Sequence, residues 1–439
     1  MNGTNFATLL KNKKILLILL VVLLICGVGA AIFFVGPFSF GRSDPELVEI
    51  MAPRYDGIGH PSYDMIPVYI GDGEMYFDSD ALWGFINIEG EEIVPPIYDM
   101  VLPFSEGLAA VRVGDILDAT WGFIDKEGTV VIPLNFSFAH GFSYGLAAVS
   151  EGEWGEAKWG FIDTEGSYVI PPTFNRAMSF SEGLAAVAFG DYFHVQMWGF
   201  IDTEGNEVIP FSFDDATMFL DGLAAVRVGD WRDGLWGFID KEGQTVIPPK
   251  YSFTLTHFNE VIPVQIGGWE HGTWGLIDSR GNELIPPIYD WVGVAGDGIV
   301  SVRLGCWDYG KWGFVDFDGA EITPITYGAT GGFANGLAAV RVGDEETGLW
   351  GYVDTNGIEV IPPAFLQAST FFDSGYALVG FENNGNGMRL GIINRNGQEV
   401  FSLTNSDGSY IIVDDFDFRT DELFAFKRDG MWGLMQITW

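Results

Sequence analysis

Residues 121–152 read WGFIDKEGTVVIPLNFSFAHGFSYGLAAVSEG, and residues 236–253 open alike, WGFIDKEGQTVIPPKYSF. The Trp-Gly that begins these stretches recurs at Trp83, Trp121, Trp159, Trp198, Trp236, Trp274, Trp312, Trp350 and Trp432, with a degenerate Leu390-Gly391 filling the one gap. Successive copies lie 38 to 42 residues apart. A fixed period of this length marks a chain built from tandem copies of one supersecondary unit.

Each unit carries three strand signals. The first is the LAAVRVGD run (Leu108–Asp115, Leu223–Asp230, Leu337–Asp344), the second is WGFID, and the third is VIPP, as in Val246–Pro249. A short connection such as Lys126-Glu127-Gly128 or Thr203-Glu204-Gly205 joins the second to the third. Its glycine supplies the positive φ of a type I turn with a bulge, and the preceding Asp (Asp125, Asp202, Asp240) is placed to bond the turn's own backbone. WGFID and VIPP therefore read as antiparallel neighbours, with the prolines ending the third strand. Past residue 45 no stretch shows an apolar period of 3.6, so the body reads as all-β. The repeated Trp is expected to pack between neighbouring units, with its Gly leaving room for a neighbour's ring or backbone.

The ends of the array are complementary. Glu49-Ile50-Met51-Ala52-Pro53-Arg54-Tyr55-Asp56 matches Glu92-Ile93-Val94-Pro95-Pro96-Ile97-Tyr98-Asp99, a third strand with no second strand before it. Trp432–Ile437 is a second strand with no third after it. Pairing the two would close ten three-stranded units of about 38 residues into a propeller-like ring and cover two exposed sheet edges. The alternative is an open β superhelix, since propellers commonly have about 4–8 blades.

The unit WGFIDxEGxxVIPPxYxxxxxFxxGLAAVRxG resembles the WG-repeat (KWG-repeat) family of bacterial proteins, and the resemblance spans Glu49 to Trp439. The copies around Leu390 and Gly408–Asp429 depart most. The resemblance implies a non-enzymatic β-repeat module, often exported or membrane-anchored, and supplies no catalytic residue.

Ahead of the array, Ile15–Val35 is an uncharged apolar run long enough to cross a bilayer as a helix. Lys11, Lys13 and Lys14 precede it, which favours a cytoplasmic N-terminus and an exported repeat body. The run exceeds a signal-peptide core, so an uncleaved anchor is expected, and Ile25 before Cys26 does not fit a lipoprotein signal. The organisation read from the sequence is a cytoplasmic tail over 1–14, a transmembrane helix over 15–35, a linker over 36–45 and a repeat domain over 46–439. Of the 439 residues 60 are acidic and 22 basic, and four of the basic ones lie in the first 43, which hold no acid. A formal charge of −38 argues against nucleic acid as a partner. Two cysteines exclude a disulfide scaffold.

Catalytic and metal signals are weak. The histidines (His60, His140, His194, His257, His271) fall at unrelated phases of different units. Gly141-Phe142-Ser143-Tyr144-Gly145 matches G-x-S-x-G but lies where another unit has Phe104-Ser105-Glu106-Gly107, without the strand-to-helix turn of a nucleophile elbow. Asp316-Phe317-Asp318-Gly319 begins like a calcium loop but sits on the repeated hairpin turn. No catalytic, cofactor or metal residue is assigned. Arg112, Arg227, Arg303 and Arg341 share one place in the LAAVRV strand. They read as a solvated row paired with acids, or as a ligand-facing row for an anionic or sugar ligand. The function expected is a membrane-anchored extracytoplasmic binding or scaffold protein for an exported protein or envelope glycan. The stretches before each Trp-Gly (Ile116–Thr120, Glu151–Lys158, Asp191–Met197, Glu345–Leu349) would vary its contacts. A hydrolase or lyase with a central-funnel site, or a structural spacer, are the alternatives.

Overall fold

A computed structural model of the chain describes residues 46–71, 81–114, 119–153, 155–190, 196–230, 232–255, 261–268, 271–306, 309–382, 388–402, 412–413, 415–418 and 423–438. The expected tail, membrane helix and linker lie outside them. Among the described residues every regular element is a strand, and no helix is long and apolar enough to cross a membrane.

The strands form ten small sheets arranged as a ten-bladed β-propeller. Blade one is typical: strand a is Gly57–Ile58, b Met65–Ile70, c Leu82–Asn87 and d Glu92–Tyr98, hydrogen-bonded in that order. The next eight blades repeat this along the chain and end at Ser402, the ninth gaining a short extra strand, Ile412–Val413. The tenth takes a, b and c from Asp415–Phe418, Leu423–Arg428 and Met431–Thr438, and its d strand from Glu46–Tyr55 at the other end of the chain. Glu46 pairs with Thr438, Glu49 with Met435, Met51 with Leu434 and Tyr55 with Trp432, so the ring closes and the open superhelix is set aside.

Two expectations about the unit are corrected. Each blade has a fourth strand, a, of two residues in seven blades and of six, six and four residues in blades seven, eight and ten. The turn from a to b, Ser105-Glu106-Gly107-Leu108, has positive φ at both central residues (51° and 88°), the type I′ geometry that suits a tight hairpin. The prolines also do not end strand d, which runs through Pro95 and Pro96 to Tyr98. A proline is tolerated there because d is an edge strand with one unpaired side.

A register shift explains the Trp-Gly dipeptide. Between Trp83 and Phe85 the pairing of c with d slips past a bulge. A Cβ on Gly84 would lie 2.3 Å from the Val94 carbonyl oxygen, and one on Gly237 2.5 Å from that of Ile247. The glycine thus makes room for strand d of its own blade, where a neighbouring unit had been expected.

The core is divided into one apolar cluster between each pair of neighbouring blades, including one between the tenth and the first (Met51, Tyr55, Leu434 against Ile58, Ile66, Val68). Strand b is buried on both faces, and its paired alanines keep it thin enough to be covered from both sides. The recurrent ring contact between blades is made by phenylalanine. Phe85 meets Phe104, Phe123 meets Phe142, Phe161 meets Phe180, Phe200 meets Phe219 and Phe314 meets Phe333, at 4.8–4.9 Å between centroids. Tilted and edge-on pairs of this kind contribute about 0.5–1.5 kcal/mol beyond the area they bury. In blade eight Tyr352 takes the position, and its hydroxyl donates to the Ser369 carbonyl of blade nine at 2.8 Å.

Candidate functional site

Strand direction sorts the connections onto two faces of the ring. Strand b leaves the a–b turn and c returns, so the a–b and c–d turns lie on one face and the b–c loops on the other. The turn face is held by its own backbone. Asp125 Oδ1 accepts from the Glu127 and Thr129 amides at 3.1 and 2.7 Å, as the repeated Asp was expected to do, and the same bonds recur at Asp163, Asp202, Asp240, Asp278, Asp316 and Asp354. Asp316 therefore spends its carboxylate on a turn. Blades are also linked there: Ser143 Oγ donates to the Phe180 carbonyl at 2.7 Å, and Glu182 accepts from the Gly222 amide. Ser143 thus belongs to an a–b turn leading into strand b, which is not an elbow.

On the loop face nine blades carry one row of four directly paired residues, and blade nine carries the first three places, Gln367, Gly380 and Leu390. In blade five the row is Asp215, Arg227, Trp236, Tyr251; in blade two it is Met100, Arg112, Trp121, Phe136; in blade eight it is Ala329, Arg341, Trp350, Phe365. Residues opposite each other across a sheet share a face, so each row is a set of neighbouring side chains. The third and fourth places are nearly constant, whereas the first two vary together. Gly57 stands opposite Tyr69, Phe138 opposite Ser150, Arg176 opposite Ala188, and Asp415 opposite Lys427. In these blades large faces small or acid faces base, whereas Met100 opposite Arg112, Phe253 opposite Gln265 and Trp291 opposite Arg303 set two large side chains against each other.

This row contains all four arginines singled out from the sequence, one per blade. Arg112 and Arg303 are buried; Arg227 and Arg341 are half-buried. The guanidinium carbons of Arg227, Arg303 and Arg341 lie 5.6, 5.6 and 5.8 Å from the ring centroids of Trp236, Trp312 and Trp350. Arg227 also pairs with Asp215 at 3.2 Å. Burial outweighs that pairing and holds the Asp215 carboxyl above the usual carboxylate range. Arg112 and Arg341 instead reach backbone carbonyls, of Asp99 at 3.4 Å and Gly328 at 3.5 Å.

Of the repeated tryptophans, Trp121, Trp198 and Trp274 are buried and the other six half-buried. They join neighbouring blades through the first residue of the row: Trp121 meets Phe138, and Trp274 meets Trp291, each at 5.1 Å. His140 stacks on Trp159 at 5.1 Å, and burial lowers its pKa. His60 and His271 are exposed; His194 and His257 lie outside the described residues. Among the described residues no three His, Cys, Asp or Glu side chains are grouped to hold a metal.

The loops themselves repeat a conformation. Gly229, Gly305 and Gly343 all have φ near +100°, and Gly234, Gly310 and Gly348 donate back to Asp230, Cys306 and Asp344 at 2.7–3.0 Å. Asp99, Asp214 and Asp290, at the bend from d to the next a, accept from Gly114, Gly229 and Gly305 at 2.7–2.8 Å and pin these loops. The described parts of the variable stretches foreseen before each Trp-Gly fall on this face, while 116–118, 154 and 191–195 lie outside the described residues.

A closed ring of near-identical four-stranded blades with no helix among the described residues defines a repeat β-propeller, a fold that suggests a non-enzymatic repeat or binding protein. The model of the WG containing repeat matches residues 83–115, 121–153, 159–193, 198–230, 236–268, 274–305, 312–345 and 350–384, together more than half of the chain, and the chain belongs to that family. No curated protein matches it. Among solved structures the chain is similar to a tricorn protease (12% identity, TM-score 0.26, covering 84% of this chain and 42% of the other). It is also similar to an acylaminoacyl peptidase from Pyrococcus horikoshii (11%, 0.32, 66% and 58%) and to oligopeptidase B from Trypanosoma brucei (10%, 0.34, 67% and 52%). The chain thus spans about half the length of these structures.

Proposed function

We propose that the protein is a binding or scaffold module, held at a membrane by Ile15–Val35 with its propeller on the extracytoplasmic side, whose loop face engages an exported protein or envelope glycan. One observation carries the reading: across ten blades the buried framework repeats, while variation is gathered at the b–c loops and the first two places of the row beside them. A rigid frame with variable side chains at equivalent positions is the design of repeat proteins that recognise partners. Net charge −38 directs the choice toward neutral or cationic partners. Two measurements test it. Exposed Cys306 should react with a membrane-impermeant maleimide in intact cells, and protection of this thiol until lysis would place the ring inside. Screening the full chain against exported proteins and envelope glycans should give binders lost on exchange of the b–c loops; uniformly empty screens would remove the binding role.

A further inference from the structure

We infer that blade eight holds an open carboxylate-binding site centred on Arg341. The chain supplies its own picture of the occupied state. In blade five the Asp215 carboxylate sits 3.2 Å from the Arg227 guanidinium, which lies over Trp236. Blade eight has the same arginine over the same tryptophan, with Ala329 where Asp215 stands. The bend acid is missing too, Gly328 replacing Asp214. Of the four arginines in the row, Arg341 alone faces a small side chain; Met100, Asp215 and Trp291 stand opposite the others. Arg341 is half-buried; its Nε, like that of Arg112, Arg227 and Arg303, is buried without a hydrogen-bond partner, and its Nη2 reaches only the Gly328 carbonyl at 3.5 Å. The loop acid Asp344 has its Oδ1 committed to Thr347, at 2.7 Å from both amide and hydroxyl.

The Arg341 charge reaches Asp344 without an ion-pair contact between them, and a guanidinium backed by an indole with no carboxylate in contact is matched by one from outside, because planar, charge-assisted pairing is what this group does best. The net charge of the chain selects the bearer. A polyanion is repelled over the distance that the field of net −38 reaches, whereas one carboxylate on a neutral or cationic peptide is not. The site therefore takes an acidic side chain or C-terminal carboxylate of such a peptide, which deepens the binding role proposed above by giving the loop face one chemistry.

The test follows the arginine Nε–H signals of the full chain by NMR during titration with sodium acetate, with acetamide as the neutral control. The signal lost in Arg341→Lys should shift and saturate with acetate only. N-acetyl-Lys-Ala should bind more tightly than acetate, and its amide should not bind. Ala329→Asp, which rebuilds the blade-five pair, should abolish the response. Asp215→Ala, which empties blade five, should confer one on the signal lost in Arg227→Lys. No shift at Arg341, a uniform shift of all arginines, or a silent Asp215→Ala protein would overturn the site. Tighter binding of an oligoglucuronate than of the dipeptide would overturn the peptide. An empty partner screen beside a responding Arg341 would remove the wider binding role and leave this site standing.

Discussion

Tyr55 pairs across strands with Trp432 in the register that joins Tyr98 to Trp83 and Tyr251 to Trp236, although Tyr55 comes from the first described strand and Trp432 from the last. The seam is built like the c–d pairing of blades one to eight. Glu49 adds an ion pair with Arg428 at 3.1 Å, and Tyr55 donates its hydroxyl to Glu92 of blade one at 2.8 Å. What the seam lacks is a c–d turn, so only noncovalent contacts hold it. Removing Glu46–Tyr55 should bare the Met431–Thr438 edge and the apolar cluster it covers, giving a protein that self-associates in size-exclusion chromatography. A monomer of unchanged stability would contradict the seam's role.

The two kinds of repeated glycine should fail differently. Gly237→Ala drives a Cβ to 2.5 Å from the Ile247 carbonyl oxygen and 2.6 Å from Pro249 N, all of it backbone of the paired strand d. It should cost about 2–4 kcal/mol in denaturant unfolding, in line with overpacking and lost strand pairing. Gly107→Ala meets nothing within 4 Å but has φ +88°, so it should cost about 1 kcal/mol from conformation alone. Equal costs would show that the bulge does not need its glycine.

The phenylalanine layer should outweigh the hydroxyl that replaces it in blade eight. Phe161→Ala removes a fully buried ring packed on Phe180 and should cost about 3–5 kcal/mol. Tyr352→Phe restores the side chain used elsewhere and loses one hydrogen bond to Ser369, about 1 kcal/mol. The reverse order, read by urea midpoints, would move the weight of the interface from ring packing to hydrogen bonding.

Burial lowers the His140 pKa below its ordinary 6.5, so the unfolded chain binds the proton more readily than the folded one. The stability due to a neutral His140 is present in full above that value. It is lost as pH falls from 6.5 toward the depressed folded value, where the native imidazole beside Trp159 charges. His140→Phe should flatten the unfolding midpoint over that window. An unchanged slope between pH 7 and 5 would mean that His140 titrates alike in the folded and unfolded chains, its pKa unshifted by burial.

Much of this architecture was legible in the linear pattern. The period gave the units, Asp-x-x-Gly gave the c–d hairpin, and the match of Glu49–Asp56 to Glu92–Asp99 gave the partner that Trp432–Ile437 needed. Strand a was missed because two residues such as Met100-Val101 show no periodicity, although Glu106-Gly107 or Asp221-Gly222 between Ser or Leu and Leu was a type I′ signal open to reading. The prolines misled because a ladder rule was applied to an edge strand. The conspicuous Trp drew the interface role that falls chiefly to the less conspicuous Phe two residues on. In the candidate site the shared place of the four arginines was visible, but the twelve-residue offset pairing Asp215 with Arg227 acquires meaning only once strand a exists.

The central claim is that one chain closes the ring on itself. Val48 lies opposite Gln436, so cysteines at both positions, in a chain with Cys26→Ser and Cys306→Ser, stand close enough to bond under mild oxidation. The account predicts an intrachain disulfide, formed in high yield at every protein concentration and read as a monomer of altered mobility on non-reducing gels. Free thiols throughout, or cross-linked oligomers whose yield climbs with concentration, would contradict it.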